Sequence, residues 1–339
     1  MSTPITTAAP SSTVAAPPNG KPASRMSLAN VSRGILAEPL YVILYGVEGV
    51  GKSMWAAGAP APIFLSTEGG TGHLDVARFP EVATFAEAMD AVRLLTNMPH
   101  DFKTLVVDTI DHLEPLVHAH VLAGTKWKSL AEYGGGYGKG NEAALDVWRT
   151  FLHTISTLRR ARKMHVIFLG HSAIRTFKNP MGGDFDRYVA KMNEKAAGLV
   201  KESVGYVLFA RYEAVTQTDD AKRTRGFSDG TRILHTQWSA SYDAKNRGDL
   251  PPELPLSWAD FEAATRAALS SAPEAEARQR ADIAEILPQL PEDKRAAVKA
   301  ATDAATDRAR LVQILDRARA LVLVTPTDAA PAADAAAHT

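Results

Sequence analysis

The chain contains no cysteine among its 339 residues. That absence removes disulfides, thiol nucleophiles and cysteine-ligated zinc together, fits a reducing compartment, and leaves oxygen ligands as the expectation for any metal. An excess of one charge is missing as well. Lys and Arg number 38 and Asp and Glu number 38, so no global field draws the chain to nucleic acid or to an anionic membrane, and any DNA affinity must come from a local patch. No apolar run approaches the roughly 20 residues of a membrane span, and the opening "MSTPITTAAPSSTVAAPPNGKPASR" has neither the basic start nor the apolar centre of a signal peptide. The chain is therefore read as cytoplasmic, with no membrane partner. What it does have is 45% hydrophobic residues, enough for one large domain with appendages or for two domains.

Residues 1–36 and 325–339 are rich in Ala, Pro, Ser and Thr without periodic apolar positions. Such segments cannot offset the entropy of ordering and are expected to be disordered tails. From Tyr41 to about Arg211, short apolar runs alternate with helix-period segments, the mark of an α/β fold. "YVILYG", "PIFLST", "TLVVDT", "HVIFLGH" and "YVLFARYE" read as strands, the first four apolar enough for a mainly parallel central sheet covered by helices on both faces. Two aperiodic intervals, 124–140 and 175–186, are expected as long loops at the ligand-binding edge of that sheet. Beyond Gly205 the pattern turns to β around the polar turn "TDDAKRTRGFSDG", and the helix "SWADFEAATRAALSS" is expected to close a main domain of residues 37–271. Residues 274–324 read as a small helical appendage, broken where Pro288 and Pro291 forbid a continuous helix.

"GVEGVGKS", Gly46 to Ser53, fits the phosphate-loop pattern G-x-x-x-x-G-K-[ST], which about one chain in a hundred of this length would match by chance. Gly46, Val47, Glu48, Gly49, Val50, Gly51, Lys52, Ser53 and Met54 are the predicted nucleotide contacts. Their chemistry explains the pattern: glycines let main-chain amides curl around phosphate, Lys52 reaches the outer phosphates, and the Ser53 hydroxyl meets Mg²⁺. Asp108, ending "TLVVD", is the second predicted Mg²⁺ ligand. Asp111 reads either as an outer partner of that metal or as a helix N-cap. The base-reading motifs of a GTPase are absent, "DTID" and "NRGD" standing in their places, so ATP is the expected nucleotide. Asp108 is followed by Thr109 rather than by a second acid, which makes Glu68, at the end of "PIFLSTE", the candidate for polarising the attacking water. No catalytic role is assigned to Glu48.

Taken in order, "YGVEGVGKS", "FLSTEGGTGHLD", "VVDTIDHLEPL", "GYGKG", "FLGHSAIRTFKNP", "DRY" and "DAKNRGDLP" resemble the RecA-type recombinase core and, more closely, the phage-encoded RecA-like ATPases of the Sak group. The resemblance spans roughly residues 41–261. It implies a RecA-like P-loop core and gives several residues a role. His171 falls where that family places a polar sensor of the γ-phosphate, here read as a neutral imidazole that hydrogen bonds. Lys245 and Arg247 match a short basic hairpin that reaches a neighbouring subunit's phosphates, which implies a homo-oligomer, ring or filament, with shared active sites. The two aperiodic intervals match the family's DNA loops and hold the cation and aromatic mixture of single-strand binders: Lys126, Lys128, Tyr137 and Lys139 in the first, Arg175, Phe177, Lys178 and Arg187 around the second. "LRRARK" ends a helix, where cations meet the dipole, and is read as structural.

These readings converge on an ATPase acting on single-stranded DNA in phage recombination, in the bacterial host cytoplasm, with a single-strand-binding protein as a further expected partner. Two alternatives stay open: a P-loop kinase of a small metabolite, with "RTFKNPMGGDFDRY" as its lid, and a nucleotide-binding assembly protein with little turnover.

Overall fold

Every residue of Tyr41–Gly46 (β1) is buried, as a strand covered on both faces must be. The computed structural model describes residues 26–31, 36–180, 182–213, 215–218, 224–227, 229–305 and 308–324. The expected disordered tails lie outside the described residues, apart from 26–31 and 36, as do 219–223 and 228 of the polar turn. The chain divides into two compact units, Met1–Leu36 and Ala37–Thr339. The first contributes the described 3-10 turn Leu28–Asn30; every element below belongs to the second.

After β1 come α1 (Lys52–Ala57), β2 (Pro62–Ser66), β3 (Ala77–Arg78), α2 (Phe85–Asn97), β4 (Thr104–Asp108) and α3 (Ile110–Leu122). They are followed by α4 (Lys139–Arg162), β5 (His165–Phe177), β6 (Phe185–Ala190), α5 (Glu194–Ser203) and β7 (Tyr206–Tyr212). A small antiparallel pair, β8 (Val215–Thr218) and β9 (Thr224–Phe227), stands apart from the main sheet. The chain then runs through β10 (Arg232–His235), β11 (Glu253–Pro255), α6 (Trp258–Ile286), α7 (Glu292–Ala304) and α8 (Arg308–Val324). The main sheet has the order β11-β10-β7-β1-β5-β4-β2-β3. From β7 to β3 it is parallel, and β10 and β11 extend it antiparallel. This is the mainly parallel α/β core with C-terminal helices expected from the sequence.

Period-2 alternation splits β1 between two cores. Tyr41, Ile43 and Tyr45 pack with the helices α2 to α5 around Trp148, Phe151 and Phe168. Val42 and Leu44 pack on the other face with Trp55, Trp258 and Phe261 of α1 and α6. A third cluster, Ile283, Ala305, Leu311, Ile314 and Leu315, joins the end of α6 to the last two helices. Among the described residues no helix is long and apolar enough to cross a membrane.

Three sequence expectations are corrected. The interval 175–186 is a loop only in its middle: 175–177 end β5, which runs for 13 residues, and 185–186 open β6, the two strands pairing antiparallel from Ser172↔Ala190 to Phe177↔Phe185. Cross-strand contacts hold this hairpin, with the Phe177 and Phe185 rings 5.2 Å apart and Thr176 Oγ1 donating to Asp186 Oδ1 at 2.7 Å. The polar turn after β7 is shortened because Thr224–Phe227 pairs with β8. Finally, α6 does not stop near Ser271 but continues through Pro273 to Ile286. The break expected at Pro288 and Pro291 is present, as a 3-10 turn Leu287–Gln289 followed by α7.

Candidate nucleotide site

Sheet register brings the predicted residues to one edge. Gly46 lies beside His171, Asp108 beside Leu169, and Ser66 beside Asp108, so the loops after β1, β2 and β4 leave the sheet together at the carboxyl ends of its strands. In the phosphate loop Gly49 and Gly51 take φ of 73° and 103°, the left-handed region that glycine enters without steric cost. Tyr212 braces the loop, its hydroxyl donating to the Gly49 carbonyl at 2.8 Å. Arg232 stands over it: a Cβ placed on Gly51 would lie 2.8 Å from the Arg232 Nη1 atom. Val50 is fully buried, whereas Glu48 and Met54 are exposed.

Lys52 is buried, and its Nζ donates to the carbonyls of Gly46 at 3.3 Å and Val47 at 3.1 Å. Burial pushes its pKa down, while the neighbouring carboxylates of Asp108, Asp111, Glu68 and Glu48 oppose that shift. The Ser53 hydroxyl donates to Asp108 Oδ2 at 2.7 Å. Burial raises the Asp108 carboxyl above its ordinary value, the Ser53 hydrogen bond opposes this, and Glu68 adds to it. A hydroxyl and a carboxylate side by side form the donor set that a hard divalent cation such as Mg²⁺ takes, so these residues fit the metal expected of them.

The ends of β2 and β4 are laced through Thr67, whose N–H donates to Asp108 O at 2.9 Å and whose hydroxyl donates to Thr109 O at 2.7 Å. The Thr109 N–H returns a hydrogen bond to Thr67 Oγ1 at 2.9 Å. Glu68 follows directly, and its Oε2 lies 2.8 Å from Nδ1 of His112 in the first turn of α3. Thr109 Oγ1 is 2.9 Å from the same nitrogen. Asp111 is not the N-cap: that position belongs to Thr109. Its buried carboxylate instead accepts the His171 main-chain N–H at Oδ1, 3.0 Å, and pairs with His171 Nδ1 at Oδ2, 2.9 Å. For His171 that side-chain hydrogen bond outweighs burial and raises the pKa above its ordinary value. For Asp111 burial acts upward, and the His171 hydrogen bonds more than offset it, leaving the carboxyl below its ordinary value. The neutral imidazole expected at His171 is thus shifted toward the charged form.

Lys245 and Arg247 are not brought to Lys52 within one chain. Lys245 pairs antiparallel with Val207, near the opposite end of β7, and its Nζ donates to Lys201 O at 2.5 Å. It is held in the sheet rather than on a projecting hairpin. Of the residues expected at DNA, Lys126, Lys128, Tyr137, Lys139, Arg175, Phe177 and Lys178 are exposed. Several have partners: Lys126 lies over the Trp127 ring, Lys139 Nζ donates to Gly134 O, Arg175 Nη2 donates to Met192 O, and Lys178 pairs with Asp184. Arg187 is the exception. It is buried between the rings of Phe177 and Trp238 and donates to Ser239 O, so it braces the hairpin rather than presenting a free cation.

Sequence reasoning missed His112, Tyr212 and Arg232. His112 stands four residues after Asp108, in the first turn of α3, and that spacing from the strand end that carries the expected metal ligand was the available signal. Tyr212 and Arg232 meet only because β7 and β10 pair in the register Arg232↔Tyr212, which no linear pattern displays.

Fold and site together define a P-loop protein of the α/β class. Residues 38–248, more than half of the chain, match the AAA_24 family model, described as AAA domain, and the chain belongs to that family. Among solved structures, the crystal structure of the RadB recombinase is similar at 15% identity, over 58% of this chain and 79% of that one, with a TM-score of 0.33. No curated protein matches the chain.

Proposed function

We propose that the chain is a RecA-like ATPase that binds single-stranded DNA and promotes annealing or strand pairing in phage recombination or repair. The observation that carries this reading is the convergence of Lys52, the Ser53–Asp108 pair and Glu68 on one sheet edge, with His171 ending the ladder to β1 and the same strand running on into an exposed hairpin.

In the proposed reaction Glu68 accepts a proton from water as the water oxygen bonds to the γ-phosphorus of ATP, and the bond from that phosphorus to the bridging oxygen breaks, its electron pair leaving with ADP. Lys52 balances charge on the outer phosphates. Ser53 and Asp108 would hold Mg²⁺, which when bound neutralises phosphate charge. On the hairpin, Ile174 and Phe177 are 62% and 39% exposed, and Tyr137 in the preceding interval is fully exposed, the apolar and aromatic platforms that single-strand binding uses. A cavity beneath the hairpin is lined by Arg175, Phe177, Arg187 and Lys201.

ATP hydrolysis measured with and without single-stranded DNA, across a range of protein concentration, tests the proposal. DNA stimulation rising more steeply than concentration is the expected result. A rate indifferent to both would favour a small-metabolite kinase, and oligomerisation on ATP without turnover would favour an assembly protein.

A further inference from the structure

Glu68, His112 and His171 each offer one ligand atom within 4.8 Å of the other two. They arrive on three separate elements: the turn after β2, the first turn of α3 and the middle of β5. The two rings stand 5.7 Å apart at 88° and are not stacked on one another. His171 Nδ1 is engaged by Asp111 Oδ2 at 2.9 Å. With the proton on Nδ1, the lone pair of the neutral ring lies on Nε2. A carboxylate behind one ring nitrogen fixes the tautomer and raises ligand basicity for a metal at the other, the usual arrangement behind a metal-bound histidine. Asp111 is itself fixed by the His171 main-chain N–H at 3.0 Å, so the ring is oriented before any cation arrives.

This donor set differs from the Ser53–Asp108 pair. Two imidazoles and one carboxylate suit zinc, cobalt and similar borderline cations, whereas hydroxyl and carboxylate oxygens suit magnesium. The side chains of His112, Glu68 and His171 are 43%, 30% and 14% exposed, which leaves a path for entry and room for water in a remaining coordination position.

We propose that Glu68, His112 and His171 form a site for one borderline divalent cation of the zinc or cobalt class, separate from the Ser53–Asp108 pair. A cation there takes the Glu68 carboxylate away from water, so its binding inhibits hydrolysis. That consequence rests on the ATPase reading; the site itself does not.

The test is a titration of the full chain with Co²⁺ in the absence of nucleotide, followed by visible ligand-field absorption, with stoichiometry from equilibrium dialysis. The expected result is one Co²⁺ per chain, displaced by Zn²⁺, with affinity falling about tenfold or more in His112→Asn and in His171→Asn. Asp108→Asn, which removes a nearby charge but no proposed ligand, is expected to lower that affinity by less than either histidine variant does. Absence of Co²⁺ absorption, unchanged affinity in both histidine variants, or a loss confined to Asp108→Asn would each overturn the proposal. Circular dichroism checks the fold of each variant; if His171→Asn does not fold, His112→Asn decides alone, its side chain being the more exposed of the two. Failure of ATP hydrolysis leaves the Co²⁺ result standing, since no nucleotide enters the titration.

Discussion

Asp111 holds His171 at two points, through the main-chain N–H at 3.0 Å and through ring Nδ1 at 2.9 Å. One carboxylate on α3 therefore sets both the backbone position of β5 and the orientation of the ring. The pair also ties stability to pH. His171, with its pKa raised above 6.5, contributes stability that is complete below that ordinary value and is lost as pH rises through the raised one. Asp111, with its pKa lowered below 3.8, contributes stability that is present above that ordinary value and is lost as pH falls through the lowered one. The pair thus stabilises the fold most between the two ordinary values. Asp111→Asn should move the His171 midpoint down in an NMR titration of the imidazole; an unmoved midpoint would refute the pairing.

Glu68→Gln keeps the side chain's size and removes its basicity. ATP binding, followed by calorimetry, is expected to persist while single-turnover hydrolysis falls roughly 10²- to 10⁴-fold, the usual contribution of a general base. Wild-type turnover in this variant would move the base elsewhere.

Arg187 and Tyr137, both read from sequence as DNA contacts, should separate. Arg187→Ala empties a buried position between Phe177 and Trp238 and is expected to cost about 1–3 kcal/mol of stability in urea unfolding. Tyr137→Ala alters a fully exposed ring, so stability should change by no more than about 0.5 kcal/mol. Its affinity for single-stranded DNA should weaken by roughly 1–3 kcal/mol. The opposite pattern in the two variants would exchange their roles.

Gly140→Ala tests how the interval before α4 is seated. In an open helix this change stabilises by about 1 kcal/mol, but here the added Cβ would lie 2.2 Å from the Leu130 carbonyl oxygen. The backbone must move, and a net loss of about 1–3 kcal/mol is expected, with faster proteolysis of the interval. A more stable variant would mean that Leu130 is not seated against α4.

The strands that build the site were legible because burial on both faces leaves continuous apolar runs such as "YVIL" and "TLVV". Lys52, Ser53, Asp108 and Glu68 were legible because each sits at a strand end or on a loop of fixed pattern. The hairpin was not. "SAIRTF" and "FDRYVA" alternate weakly, and the turn between them is rich in Gly, Asn and Pro, so the interval reads as loop until Phe177 meets Phe185. The length of α6 was hidden by Pro273, which costs a helix interior about 3 kcal/mol. The helix continues because both ends are anchored, Trp258 and Phe261 on the main sheet and Ile283 in the third cluster. The pairing of Glu68 with His112 joins residues far apart in the chain, and only tertiary structure displays it.

The course of β5 has a mechanical consequence. Up to His171 it is bonded to β1, and from Ser172 onward to β6. A single peptide link divides two ladders, and the Lys191 N–H closes on the His171 carbonyl at 2.8 Å beside that junction. Its inner half is clamped in the sheet and its outer half is tied through β6, whose Tyr188 N–H bonds the Ser241 carbonyl at 2.8 Å, so a load on the hairpin is passed to the sheet at the residue that carries the His171 imidazole.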